Sequence, residues 1–192
     1  MAPPDQDKWD RIYREAPGGD VPAAAVLRDN RHLLPRRGSA LDLACGRGGN
    51  ALLLAAAGLE THAWDLSVVA VEDLSARAAR RSLALHAVQR DACAAPPAPD
   101  SFDVIAVSHF LDRQLCPALA AALRDNGLLF YQTFTEDKDP DVGPKNPDYI
   151  LRRGELLTLF AGLRPVLYRE EGRLGDLTQG FRNEAILVAR KD

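Results

Sequence analysis

Gly46, Gly48 and Ala51 follow the spacing G-x-G-x-x-G/A at the end of an apolar stretch, and Asp65 closes the next apolar stretch. A turn of this kind aims backbone N–H groups outward at the start of a helix whose dipole favours negative charge, which suits a phosphate or a carboxylate. An acid one strand further on suits a ribose diol. By that spacing alone the turn could hold a nicotinamide dinucleotide. Two more acids change the balance. Asp42 stands inside the strand that precedes the turn, where a pyrophosphate gains nothing from another negative charge, and Asp91, followed by Ala92, closes a third stretch.

These residues need strands to carry them. The hydrophobic pattern predicts strands at 39–45, 60–65, 86–91, 102–108 and 127–134, alternating with helices at 48–57, 67–81 and 114–124. Strands and helices that alternate in this way make an α/β, doubly wound parallel sheet. Helical stretches within 7–33, broken at 16–20, precede the first strand. A polar loop at 135–148, a helix at 153–161 and strands at 165–170 and 183–190 follow the last parallel strand. No helical period joins those final strands, so they are expected to pair antiparallel.

At 192 residues the chain has room for one domain with a sizeable core. Its 46% hydrophobic and 27% charged residues are ordinary for a globular protein, and a net charge of −3 argues against a general nucleic-acid binder. No apolar run is long enough to span a membrane, and the opening residues lack an apolar signal core. Cys45, Cys93 and Cys116 lie apart with no metal-type spacing, so no metal is expected and the thiols read as reduced, mostly buried groups of a cytoplasmic protein. A small-molecule substrate is the expectation, with no nucleic-acid or membrane partner; the oligomeric state is left open.

The stretches "LDLACGRGGNALLLAAAG", "AWDLS", "YQTFT" and "NPDYILRRGELL" resemble the class I S-adenosylmethionine (SAM) dependent methyltransferases, and among them a bacterial group akin to the tellurite-resistance methyltransferases. The resemblance implies a Rossmann-like, seven-stranded sheet in a single domain, mostly parallel with an antiparallel C-terminal strand. It implies a helical lid over 1–34, a SAM-binding half over 35–134 and a substrate side over 135–192. The cofactor would be held by Asp42, Ala44, Cys45, Gly46, Gly48 and Asn50 around the first loop, and by Asp65 and Leu66 after the second strand. Asp91 and Ala92 would meet the adenine, and Ser108 the methionine portion. The product would be S-adenosylhomocysteine (SAH).

His109, at the end of the fourth strand, is the candidate general base, or else a wall of the pocket. Trp9 and Tyr13 share a helix face, either as core or as part of the lid, with Tyr13 near the transferred methyl. The long polar loop makes Lys145, Asn146 and Tyr149 substrate candidates, and "GFRNEA" adds Arg182 and Asn183. His32, His62 and His86 read as structural, Arg77, Arg80 and Arg81 as one solvated helix face, and Asp65 as an acid at an exposed strand end. Methyl transfer to a thiol, metalloid oxyanion, amine or hydroxyl all fit these residues. A nicotinamide-dependent oxidoreductase and a non-catalytic SAM-binding module are the competing readings.

Overall fold

The computed structural model of the protein describes residues 6–16 and 19–192. The reading of the opening residues, and part of the break at 16–20, concerns residues outside that range. The sheet has seven strands in the order β3-β2-β1-β4-β5-β7-β6 among the described residues. Strands β1 (Ser39–Leu43), β2 (Glu60–Asp65), β3 (Leu85–Gln89), β4 (Phe102–Ser108) and β5 (Leu123–Phe134) pair in parallel. The last strand, β7 (Glu184–Arg190), runs antiparallel between β5 and β6 (Arg164–Arg169). That placement departs from the dinucleotide-binding order, in which a sixth parallel strand simply adds to the fifth.

Alternation along the strands builds a core on each face. Leu41 and Leu43 of β1 and Ile105 and Val107 of β4 pack with Leu119 of α5 (Cys116–Ala122) and Leu156 of α6 (Glu155–Leu159). Their neighbours Ala40, Val104 and Ala106 face Val26 and Leu27 of the single-turn α2 (Ala25–Arg28) and Leu54 of α3 (Gly49–Ala56). Leu74 of α4 (Val68–Arg80) closes on Ala51 and Ala63. The strand order reverses between β1 and β4, and ligands of such sheets bind at the carboxyl ends of the strands beside that reversal.

The elements match the sequence reading except at their ends and in the second helical stretch before β1, expected after the break at 16–20, where only the single turn α2 and a 3-10 turn at Arg31–Leu33 form. The expected helix at 114–124 stops at Ala122 because Leu123 is already extended and begins β5. The arginine face on α4 is solvated at Arg80 and Arg81 only; Arg77 is buried. Its guanidinium reaches across to the glycine turn, donating to the Arg47 carbonyl, and it pairs with Asp73 and Asp20. The long-range carbonyl partner is what makes burial of this charge tolerable. Cys45 and Cys116 are buried and Cys93 is exposed.

Candidate active site

A cavity of about 910 Å³ opens at the carboxyl ends of β1 to β4, lined by the glycine turn, by residues following β2, β3 and β4, and by α1 (Gln6–Glu15). The turn after β1 takes left-handed backbone at Ala44, Gly46 and Gly48, with φ of 53°, 49° and 72°. At Gly48 a Cβ would lie 2.3 Å from a methyl of Leu74, so close packing against α4 as well as φ demands glycine there. The Gly46 N–H donates to Asp65 Oδ2 at 2.7 Å, and the Ser67 N–H donates to Asp65 Oδ1 at 2.9 Å. Asp65 is therefore a buried clamp between the ends of β1 and β2, which corrects its reading as an exposed strand-end acid. Burial pushes its carboxyl above the usual carboxylate range, and the backbone N–H bonds oppose that rise.

Asp42 is on the α3 face of β1, because strand residues alternate. Its carboxylate accepts from the Ala51 N–H at 3.0 Å and the Asn50 amide at 3.3 Å. Neither it nor Gly48 is among the residues that line the cavity. Burial pushes the Asp42 carboxyl up to about 7. Between the unfolded carboxylate value and that value the folded chain holds a proton that the unfolded chain releases, so this contribution to stability is full at low pH and lost as pH rises through 7. His62, whose pKa burial lowers, acts in the opposite sense, so the clean comparison is with Asp42→Asn. From pH 5 to 8 the stability of the parent should fall by about 1–3 kcal/mol relative to that variant, read from urea midpoints. A constant difference across that window would contradict the assignment.

Asn50 links the first loop to β4 and α2: its amide donates to Ser108 Oγ at 3.0 Å, and its oxygen accepts from the Ala24 N–H at 2.9 Å. Helix α1 docks over this arrangement. Its buried Asp10 accepts from the hydroxyl of Ser67, the N-cap of α4, and Trp9 stacks on Tyr13 with ring centroids 5.9 Å apart. Both aromatic residues line the cavity, so their shared face looks onto the cleft and not into the sheet core. Asp91 lies beyond the end of β3 and its Oδ1 accepts from Cys93 and Ala94 N–H groups, capping a turn at the cavity wall.

The remaining candidates divide. Ala44, Cys45, Gly46, Asn50, Asp65, Leu66, Asp91, Ala92, Ser108, His109, Tyr13 and Tyr149 all line the cavity. Lys145, Asn146 and Arg182 do not. Lys145 donates to the Pro140 carbonyl, Asn146 accepts from the Asp148 N–H, and Arg182 donates to the carbonyls of Gln179, Gly172 and Asp176. Each of these side chains bonds backbone within its own loop. Asn183 accepts from the Asp139 N–H. Sequence reasoning missed Arg113, which grips Glu155 through two nitrogens and donates to the Asp148 and Ile150 carbonyls, fixing the segment that carries Tyr149. It also missed Phe110, Phe134 and Glu184, whose roles depend on strands far apart in sequence. Among the described residues no group of three or more His, Cys, Asp or Glu is placed to hold a metal ion, and no helix is long and apolar enough to cross a membrane.

Residues 40–127 match a family model described as a methyltransferase domain. No curated protein matches the chain by sequence. Among solved structures, TehB from Haemophilus influenzae shares 20% identity with a TM-score of 0.71, over 98% of this chain and 67% of that one. A TehB-like SAM-dependent methyltransferase from Corynebacterium glutamicum shares 18% identity with a TM-score of 0.67, over 97% and 98% of the respective chains. The geranyl diphosphate C-methyltransferase from Streptomyces coelicolor A3(2), solved with Mg2+, geranyl diphosphate and SAH, shares 14% identity with a TM-score of 0.71, over 100% and 99%. Residues 40–127 thus resemble a methyltransferase domain, and the whole chain has the fold of TehB and of the TehB-like SAM-dependent methyltransferase.

Proposed function

We propose that the chain transfers the methyl group of SAM to a small-molecule acceptor in the cytoplasm, with no nucleic-acid or membrane partner. The observation that carries this reading is the Asp65 clamp on the glycine turn, set at the strand-order reversal within the stretch that matches a methyltransferase-domain model. The cavity, at about 910 Å³, lies toward the upper end of the usual range for small-molecule sites, which leaves room for a cofactor and an acceptor together. Bound SAM supplies a methyl already activated by its cationic sulfur. The protein has to align, desolvate and, for some acceptors, remove a proton.

Asp65 has remaining lone pairs for the ribose hydroxyls, and Leu66, Asp91 and Ala92 form the adenine end. Ala44, Cys45, Gly46 and Asn50, backed by Asp42 and Gly48, hold the methionine end together with Ser108. Tyr13 and Trp9 close the cleft from above, making the segment before β1 a lid, while Tyr149 belongs to the acceptor side. Deleting residues 1–16 should weaken SAM binding about tenfold, measured calorimetrically. Unfolding free energy should change by under about 1 kcal/mol, because α1 lies outside both sheet cores. Unchanged affinity after the deletion would remove the lid role.

Catalysis itself is tested by incubating the protein with SAM and a pooled small-molecule extract and following SAH by mass spectrometry. Protein-dependent SAH is expected. SAM binding without SAH from any acceptor would instead mark a non-catalytic SAM-binding module.

A further inference from the structure

Beyond β4 the chain turns sharply. His109 takes φ 55°, a left-handed backbone uncommon outside glycine, asparagine and aspartate, while its N–H donates to the Gln132 carbonyl at 2.9 Å. The turn lays the imidazole along the cavity wall, 5.1 Å from the Phe134 ring by centroid. Its Nε2 is 3.0 Å from Glu184 Oε1. The other carboxylate oxygen accepts from the Gln132 amide at 2.5 Å, and the Gln132 oxygen accepts from the buried Val26 N–H at 2.8 Å.

The polarity of this chain is set from one end. A backbone N–H can only donate, so the Val26 bond fixes which end of the Gln132 amide is oxygen. The amide nitrogen must then donate to Glu184, which is left accepting at both oxygens. Facing an ionised Glu184, Nε2 of His109 carries a proton, so in the neutral imidazole the lone pair lies on Nδ1; the described residues offer Nδ1 no hydrogen-bond partner.

The surroundings select what Nδ1 could meet. Phe110, Phe134, Pro144 and Tyr149 line this end of the cavity. The cations that line the cavity lie elsewhere: Lys8 on α1, Arg47 on the glycine turn, and Arg90 after β3, stacked 3.8 Å over Trp64. An anionic acceptor at the β4 and β5 ends would sit beside Glu184 with no compensating cation, which disfavours it.

We propose that Glu184 is a positioning residue that holds His109 as the base for a neutral aromatic acceptor bearing a hydroxyl group. The inference rests on the SAM reading above. The acceptor O–H proton passes to Nδ1 as the oxygen bonds to the methyl carbon and the sulfur–carbon bond breaks, its electron pair going to sulfur. The products are an aryl methyl ether, SAH and an imidazolium paired with Glu184, which then returns its proton to solvent.

The test uses the full chain, with SAM binding checked by calorimetry, and offers 2-naphthol, 2-naphthalenethiol and sodium selenite as acceptors at pH 8. Methylation of 2-naphthol and none of selenite is expected. His109→Gln should lower kcat for 2-naphthol by about 100-fold and Glu184→Gln by about 10-fold, in line with the usual worth of a general base. The thiol, already ionised, should react more slowly than 2-naphthol in the parent because its charge faces Glu184, but it should lose less than about threefold in either variant, since it needs no base. General damage to the site would slow both aromatic acceptors alike, and that parallel loss would overturn the inference. So would methylation of selenite, or SAM binding without methylation of 2-naphthol, either of which leaves the SAM reading standing. A protein that binds no SAM overturns both.

Discussion

Asp65→Ala should weaken SAM binding about 30- to 1,000-fold, equivalent to about 2–4 kcal/mol. The ribose hydroxyls would lose a carboxylate acceptor, and charge-assisted bonds of that kind are worth about 1.5–3 kcal/mol each, with the pair below the sum. The substitution should also destabilise the unliganded protein. The Gly46 and Ser67 N–H groups both donate to this buried carboxylate, and alanine leaves them without it. Unsatisfied buried donors cost about 1–3 kcal/mol each, so a fall of about 2–4 kcal/mol in unfolding free energy is expected after partial relaxation. Asp65→Asn offers one acceptor and turns an amide toward the other N–H, so it should lose affinity as well. Calorimetric SAM titrations together with urea midpoints on the three proteins read both effects. Affinity within about twofold of the parent in the alanine variant would remove Asp65 from the cofactor site, since even one lost charge-assisted bond corresponds to about tenfold.

Arg77→Ala should lower unfolding free energy by about 2–4 kcal/mol. Breaking a fully buried ion pair costs about 3–5 kcal/mol, but here Asp73 and Asp20 are each 52% exposed and can return to water, which lowers the figure. What water replaces poorly is the bond to the Arg47 carbonyl, which ties α4 to the glycine turn. Loosening that tie should reduce SAM affinity several-fold. Arg77→Lys keeps the charge but not the planar fork and should recover only part of the loss. A urea midpoint within about 0.5 kcal/mol of the parent in Arg77→Ala would return Arg77 to the solvated surface.

The contrast between Asp65 and Arg77 shows what was legible in the residues themselves. Asp65 stands out because glycine turn, strand end and acid are close in sequence and obey a spacing imposed by one strand–turn–helix unit. The strands were legible for a similar reason: a two-sided core makes β1 and β4 apolar on both faces, and Asp42 is conspicuous inside such a run. Arg77 is indistinguishable in sequence from Arg80 and Arg81, because its burial depends on a carbonyl 30 residues away. The His109, Glu184, Gln132 and Val26 chain joins three strands and a helical turn across separations of up to 106 residues, and no local pattern announces it. Lys145 and Arg182 show the converse, since charged residues in long loops bind their own loop carbonyls, as these two do outside the cavity lining.

The most direct measurement is a pair of calorimetric titrations on the purified chain, SAH in one cell and NADH in the other. A cofactor clamp built on Asp65, with an antiparallel β7 in place of the sixth parallel strand of a dinucleotide fold, is expected to bind one SAH per chain with a dissociation constant of about 1–100 μM, or about −8 to −5.5 kcal/mol. NADH should give no heat above dilution. Binding of NADH without binding of SAH would contradict the assignment of the cleft to S-adenosylmethionine.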